Sequence, residues 1–205
     1  MSLLRAIGAA ADAVQASADR LNRLDGQAGD GDLGVTMTIG ARVVRELLPG
    51  LEGQPPAAVL RACGAALARR APSTSGTLVA TALLRAARVV DEEAGATALA
   101  RALRAAQEGI QERGKARPGG KTMLDALAPA VVAAEAAAGR GAGIGEALRA
   151  AAVAAEAGAQ ATREMLPGHG RASWLAERSA GHEDAGARLV AILLQASAGA
   201  AGGDV

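Results

Sequence analysis

Apolar residues recur along the chain three, four or seven positions apart in one segment after another. Leu3, Ile7, Val14 and Leu21 form the first stripe. Val43 and Leu47 follow, then Leu60, Cys63 and Leu67, then Leu99, Leu103 and Ile110, then Met123, Leu127 and Val131. That period predicts helices and gives no sign of the alternation a strand would show. Eight helices are expected, near 2–22, 34–48, 56–70, 75–92, 96–112, 121–138, 144–165 and 185–198, with 166–184 an ordered loop. The alanine-rich stretch 133–155 keeps the helical period, so it reads as closely packed helix rather than as low complexity. No linker is long enough or rich enough in Pro and Ser to divide the chain, which predicts one domain over residues 1–205.

The linkers are of two kinds. "PGLEGQPP" (49–56), "EAGA" (93–96) and "AGRGAGIG" (138–145) are turn punctuation. The others are "DGQAGDGDLG" (25–34), "APSTSG" (71–76), "RGKARPGGKT" (113–122) and "PGHGRASWLAERSAGHEDAG" (167–186). These carry Asp, Ser, Thr, Lys, Arg and Gly, and the two kinds alternate. Up-and-down connectivity then brings all four polar linkers to one end, each opening a helix whose unpaired N–H groups favour an anion.

Composition narrows the chemistry. The 205 residues are 50% hydrophobic and 21% charged, which places the chain among globular proteins. There is no Phe or Tyr and only Trp174, so the core must be built from small side chains in close contact. Twenty-two basic against 21 acidic residues give a net charge of +1, and without stacking aromatics this argues against a nucleic-acid ligand. Cys63 has no intramolecular disulfide partner, and Asp12 interrupts the apolar stretch a signal peptide would need. A cytoplasmic protein without a membrane span is expected.

Asp25, Asp30 and Asp32 fall within eight residues among four glycines. Carboxylates so close repel one another unless a cation lies between them, and carboxylate oxygens suit Mg²⁺ or Ca²⁺. The spacing is not that of an EF-hand, because Thr36 stands where the loop's final carboxylate belongs. The plainer alternative is a helix cap, with one aspartate capping and the others solvated. Magnesium usually completes its shell with water and substrate phosphates, so the site expected is a nucleotide phosphate bridged by metal to aspartates. "KARPGGKT" (115–122) fails as a Walker loop: Gly114 lies one residue too early, and a helix precedes it. "PSTSGT" (72–77) reads first as an N-cap. His169 and His182 are too few for a histidine metal site and read as solvated loop residues.

Four motifs in order, "LNRLDGQAGDGDLGVTM", "PSTSGTL", "GGKTMLDALAPA" and "GRASWLAERSAGHEDAGA", resemble the L-subunit family of dihydroxyacetone kinases from about Asn22 to Ala187. The resemblance implies an all-α fold, an eight-helix antiparallel barrel with nucleotide at one end. It implies two Mg²⁺ ions on Asp25, Asp30 and Asp32. Leu33, Gly34, Val35 and Thr36 would lie beside the phosphates, with Thr74, Ser75, Gly114, Met123, Arg171, Asp184, Ala185 and Gly186 around the rest of the nucleotide. It also implies ATP or tightly bound ADP as the nucleotide, and a separate K-type subunit that holds a ketose or sugar acid. Where ADP is retained, a phosphotransferase-system protein would rephosphorylate it. A nucleotide-binding regulatory subunit is the alternative. Two positions depart from the family pattern: Leu33 where histidine is usual, and Ala185 where proline is common.

Overall fold

A computed structural model describes residues 2–166 and 179–201. The described residues hold nine α-helices and no strand. They are α1 (Leu3–Ala16), α2 (Ala18–Asp25), α3 (Leu33–Leu47), α4 (Pro56–Arg70), α5 (Thr74–Ala86), α6 (Gly95–Gly114), α7 (Leu124–Gly139), α8 (Ile144–Ala161) and α9 (Ala185–Ala201). Short 3₁₀ turns follow α3 (Leu48–Leu51) and α8 (Thr162–Glu164).

The expected helix 2–22 is two. The chain breaks at Ser17, whose φ of −100° and ψ of 5° leave the helical region although its N–H still reaches the Ala13 carbonyl at 3.0 Å. α2 therefore departs from the line of α1 and packs against α3 and α9. The remaining eight helices close a ring. α1 packs on α3, each later helix packs on the next, and α9 returns to α1. The barrel thus has the expected eight staves, with α2 an additional helix packed on α3 and α9.

α7 is the most enclosed stave. Leu124, Ala126, Ala130, Val131, Ala134 and Ala137 have no exposed surface, and α6, α8 and α9 all pack against it. The facing stripe of α8 is Ala147, Ala151, Ala155 and Ala159, spaced by one helical turn and equally buried. A methyl at every turn allows the two helix backbones to approach closely, so the alanine-rich stretch is core. No helix among the described residues is long and apolar enough to cross a membrane.

Three helix ends fall short of the periodicity by three residues or more. α5 stops at Ala86 and gives way to turns through 92, α7 starts at Leu124 and not at 121, and α8 passes into its 3₁₀ turn after Ala161. At α7 the reason is local. Asp125 accepts N–H bonds from Thr122 at 2.7 Å and from Gly119, holding 119–122 as a turn, and Lys121 within it has a left-handed φ of 58°.

Candidate functional site at one end of the barrel

The four polar linkers meet around one cavity of about 560 Å³, lined from 24–33, 72–78, 121–123 and 179–186. The plain linkers 49–56, 93–96 and 138–145 contribute nothing to these walls, except that Gly139 and Ala138 border a separate surface cleft. A cavity of this size suits a ligand of nucleotide dimensions.

α2 and the loop after it build the acidic side. One oxygen of Asp25, Oδ2, accepts the N–H groups of Gly31 at 2.9 Å, Asp32 at 3.0 Å and Leu33 at 3.4 Å. Gly31 permits the wrap with its φ of 78°. Asn22 Oδ1 accepts from Gly34 at 2.7 Å and Val35 at 3.2 Å, and the Thr36 N–H goes to the Asp32 carbonyl at 2.9 Å. The first turn of α3 is thereby capped by α2. The N–H groups from 33 to 36, which sequence reasoning offered to a phosphate, already have partners.

The capping alternative is also redistributed by this arrangement. Asp25 and Asn22 do the capping, whereas Asp32, at the N-cap position itself, makes no side-chain cap bond. Ligand atoms of Asp25, Asp30 and Asp32 lie within 4.8 Å of one another, with Asp30 and Asp32 exposed and Asp25 half-buried. Burial raises the Asp25 carboxyl above its ordinary value and the Asp30 charge adds to this, against the pull of its three N–H donors. A divalent cation among these oxygens would offset both effects, so the residues present fit a hard cation.

The remaining expected residues are spread around the cavity. Thr74 and Ser75 line it from the first turn of α5, where Ser73 Oγ accepts the Gly76 N–H at 3.0 Å as the N-cap reading anticipates. Met123, Asp184, Ala185 and Gly186 line it too. Gly34, Val35 and Thr36 are not among its lining residues, and Gly114 sits behind it against Leu78, whose side chain forms part of the wall. Arg171 and His169 lie outside the described residues.

Asp184 caps α9 by accepting the Ala187 N–H at 2.7 Å, and its own N–H donates to Thr162 Oγ1 at 2.8 Å. Burial pushes its carboxyl up to about 7, with Asp125 adding to the rise while the Ala187 N–H and the Lys121 charge oppose it. Three further lining residues were not among the expected site residues: Lys121, weighed only as part of a failed Walker loop, His182, read as a solvated loop residue, and Glu183, not singled out. Glu183 is 5% exposed and gathers Arg188 at 2.8 Å, Arg163 at 2.7 Å and Arg20 at 3.3 Å. Its neighbour in the "HEDAG" turn was the only available signal.

The two departures from the family pattern belong to a single apolar cluster. Leu33 and Ala185, 4% and 7% exposed, pack with Leu21, Met37 and Leu189 beneath the acidic loop. A polar side chain at 33 would have to turn out of that cluster, and leucine has no reason to do so.

A sequence profile of the DAK2 domain matches residues 27–199. This chain belongs to the DAK2 domain family. Among relatives, it is 35% identical over 186 residues to the ADP-binding subunit DhaL of the PEP-dependent dihydroxyacetone kinase of Escherichia coli, covering 90% of this chain and 89% of that one. It is 39% identical to the D-erythrulose kinase of Mycolicibacterium smegmatis over 92% of its own length but only 33% of that enzyme's. Among solved structures, the dihydroxyacetone kinase of C. freundii in complex with AMP-PNP and Mg²⁺ superposes with a TM-score of 0.76 at 26% identity, over 96% of this chain and 33% of that one. The chain therefore spans nearly all of a DhaL subunit and about a third of the single-chain kinases. The all-helical architecture is the one that the resemblance implied.

Proposed function

We propose that this chain is the Mg-nucleotide-binding subunit of a kinase for dihydroxyacetone or a related ketose or sugar acid, with residues 1–205 forming one L-type domain. The observation that carries the reading is the convergence of Asp25, Asp30 and Asp32 at the mouth of a nucleotide-sized cavity in a DAK2 chain. Support comes from the relative named as an ADP-binding subunit and from the AMP-PNP and Mg²⁺ bound by the C. freundii kinase. Asp25, Asp30 and Asp32 would hold two Mg²⁺ ions, which supply charge neutralisation to the phosphates. Asp25 is fixed for that task by its three N–H donors, and Asn22 holds the start of α3 behind it. Thr74, Ser75, Met123, Asp184 and Gly186 would line the rest of the nucleotide, with Arg171 joining them.

Phosphoryl transfer depends chiefly on positioning and charge neutralisation, so no nucleophile is assigned to this chain. The acceptor sugar would be held by a separate K-type subunit docked at the nucleotide end of the barrel. The phosphoryl donor would be ATP, or a phosphotransferase-system protein that recharges retained ADP. The reading places the subunit in the cytoplasm. A second reading, nucleotide binding for regulation without transfer, is favoured by one observation: Leu33 is packed into the core and offers no polar group beside the acidic loop.

The test is to identify by mass spectrometry any nucleotide released from the purified chain, then to assay dihydroxyacetone phosphorylation. The chain is assayed alone and with a K-type subunit, each with ATP and with phosphotransferase-system components. The proposal expects turnover only with the K-type subunit. Robust turnover by the chain alone contradicts it, and binding of nucleotide without turnover in any combination supports the regulatory reading.

A further inference from the structure

Lys121 is the one lysine or arginine among the described residues that lines the cavity. It is 4% exposed and sits in left-handed backbone at φ 58°, a region in which a side chain is unfavourable and which glycine occupies freely. Gly119 and Gly120 precede it, so the turn is one in which glycine is already at home. Burial lowers its ammonium below the usual lysine range, against the opposing charges of Asp184 and Glu164. Both the backbone and the burial disfavour lysine here, so its bonds must compensate.

Those bonds go to backbone. Nζ donates to the Ser179 carbonyl at 2.6 Å and to the Met165 carbonyl at 3.1 Å. Met165 ends the turn after α8, and Ser179, itself helical, precedes the turn that leads into α9. The same Ser179 carbonyl accepts the His182 N–H at 3.3 Å, and the Gly181 N–H reaches the Arg163 carbonyl at 3.2 Å. The turn that presents Glu183 and Asp184 to the cavity is thus laced to the end of α8, with one ammonium at the knot.

We propose that Lys121 is a positioning residue, whose ammonium clamps the backbone at Met165 to the backbone at Ser179 and so holds the Glu183–Asp184 turn against the cavity. It acts through that turn and not by touching phosphate, since two of its three N–H groups are committed to carbonyls. For the nucleotide the inference rests on the function proposed above, whereas the clamp itself exists without ligand and can be measured without it.

The experiment uses the full chain and three variants, Lys121→Met, Lys121→Gly and Lys121→Arg. Amide hydrogen exchange in ligand-free protein reads the clamp, Mg-ADP titration reads the site, and helical circular dichroism checks the fold. In the Met variant, exchange at residues 181–183 should quicken by about tenfold or more over the wild type while α7 stays protected. Its dissociation constant for Mg-ADP should rise by about tenfold or more. The Gly variant, though freed of its unfavourable backbone, should show the same two changes, and it decides the matter if the Met variant does not fold. The Arg variant, retaining charge and donors, should recover part of both. Unchanged exchange at 181–183 overturns the clamp. Weaker Mg-ADP binding with that exchange unchanged also overturns it, in favour of direct contact with the ligand. Should the wild type bind no Mg-ADP, the nucleotide reading fails, and ligand-free exchange still decides the clamp.

Discussion

Two carboxyls side by side, Glu183 and Asp184, are driven in opposite directions by their surroundings. Burial raises Glu183, but the hydrogen bonds and charges of Arg188 and Arg163 outweigh it and hold the carboxyl below its ordinary value. Asp184 pairs with no arginine among the described residues, and burial dominates. The linkage signs follow. Stability from Glu183 is present above its unfolded value near 4.5 and is lost as pH falls through the lower folded value. For Asp184 the folded protein holds the proton more tightly, so its contribution is complete below the unfolded value of 3.8 and is lost as pH rises to about 7. In the absence of divalent cations, melting temperature should fall between about pH 4 and about pH 7 and level off above it. Asp184→Asn, which still accepts the Ala187 N–H, should flatten that fall. An identical slope in the Asn variant would show that another group is responsible. Arg188, 2% exposed, also binds Glu156. Arg188→Met removes the buried partner of both carboxylates, leaving Glu183 to Arg163 and Arg20 and Glu156 to Gln160 and Gln195, so denaturant unfolding should show a loss of about 2–3 kcal/mol, below the about 3–5 kcal/mol of a fully stranded buried charge.

At the scale of helices, Gly34 shows how closely two elements must meet to make the acidic loop. A Cβ there would fall 2.0 Å from the Ala18 carbonyl oxygen at the start of α2. Gly34→Ala should therefore force α3 away from α2 and cost about 1–3 kcal/mol or more in denaturant unfolding, with loosening of the Asp25 cap. Gly199, in α9 with nothing within 4 Å of its Cβ position, is the matching control. Gly199→Ala should stabilise by up to about 1 kcal/mol through helix propensity alone. The family resemblance assigned Gly34 to the phosphates, and the contact with Ala18 comes only from the three-dimensional crossing. The break at Ser17 was hidden for a related reason: Ala16 and Ala18 are helix formers, so no local signal interrupts the period. By contrast, the alternation of plain and polar linkers was legible, because each helix reverses the chain and the chemistry of every second linker could be read directly. Lys121 was visible, but its bonds were not. Tested against a Walker loop it failed, and nothing in a sequence marks a lysine that bonds to distant carbonyls.

For the whole molecule, the barrel divides the work between its parts. The alanine stripes of α7 and α8 bring helix backbones close without aromatic residues, and this rigid wall fixes the ends of α3, α5, α7 and α9 around one cavity. The described walls of that cavity are acidic, with Asp25, Asp30, Asp32, Glu183 and Asp184 against Lys121. A bare nucleotide phosphate would be repelled there, which makes metal dependence the central claim. The most direct test is calorimetric titration of ADP into the nucleotide-free chain in Mg²⁺ and again in EDTA, repeated with Asp30→Ala. The account predicts saturable binding in Mg²⁺ that is abolished by EDTA, and in the Ala variant, still folded because Asp30 is exposed, an affinity lower by about tenfold or more. Binding of ADP with equal affinity in EDTA and in Mg²⁺ would contradict it.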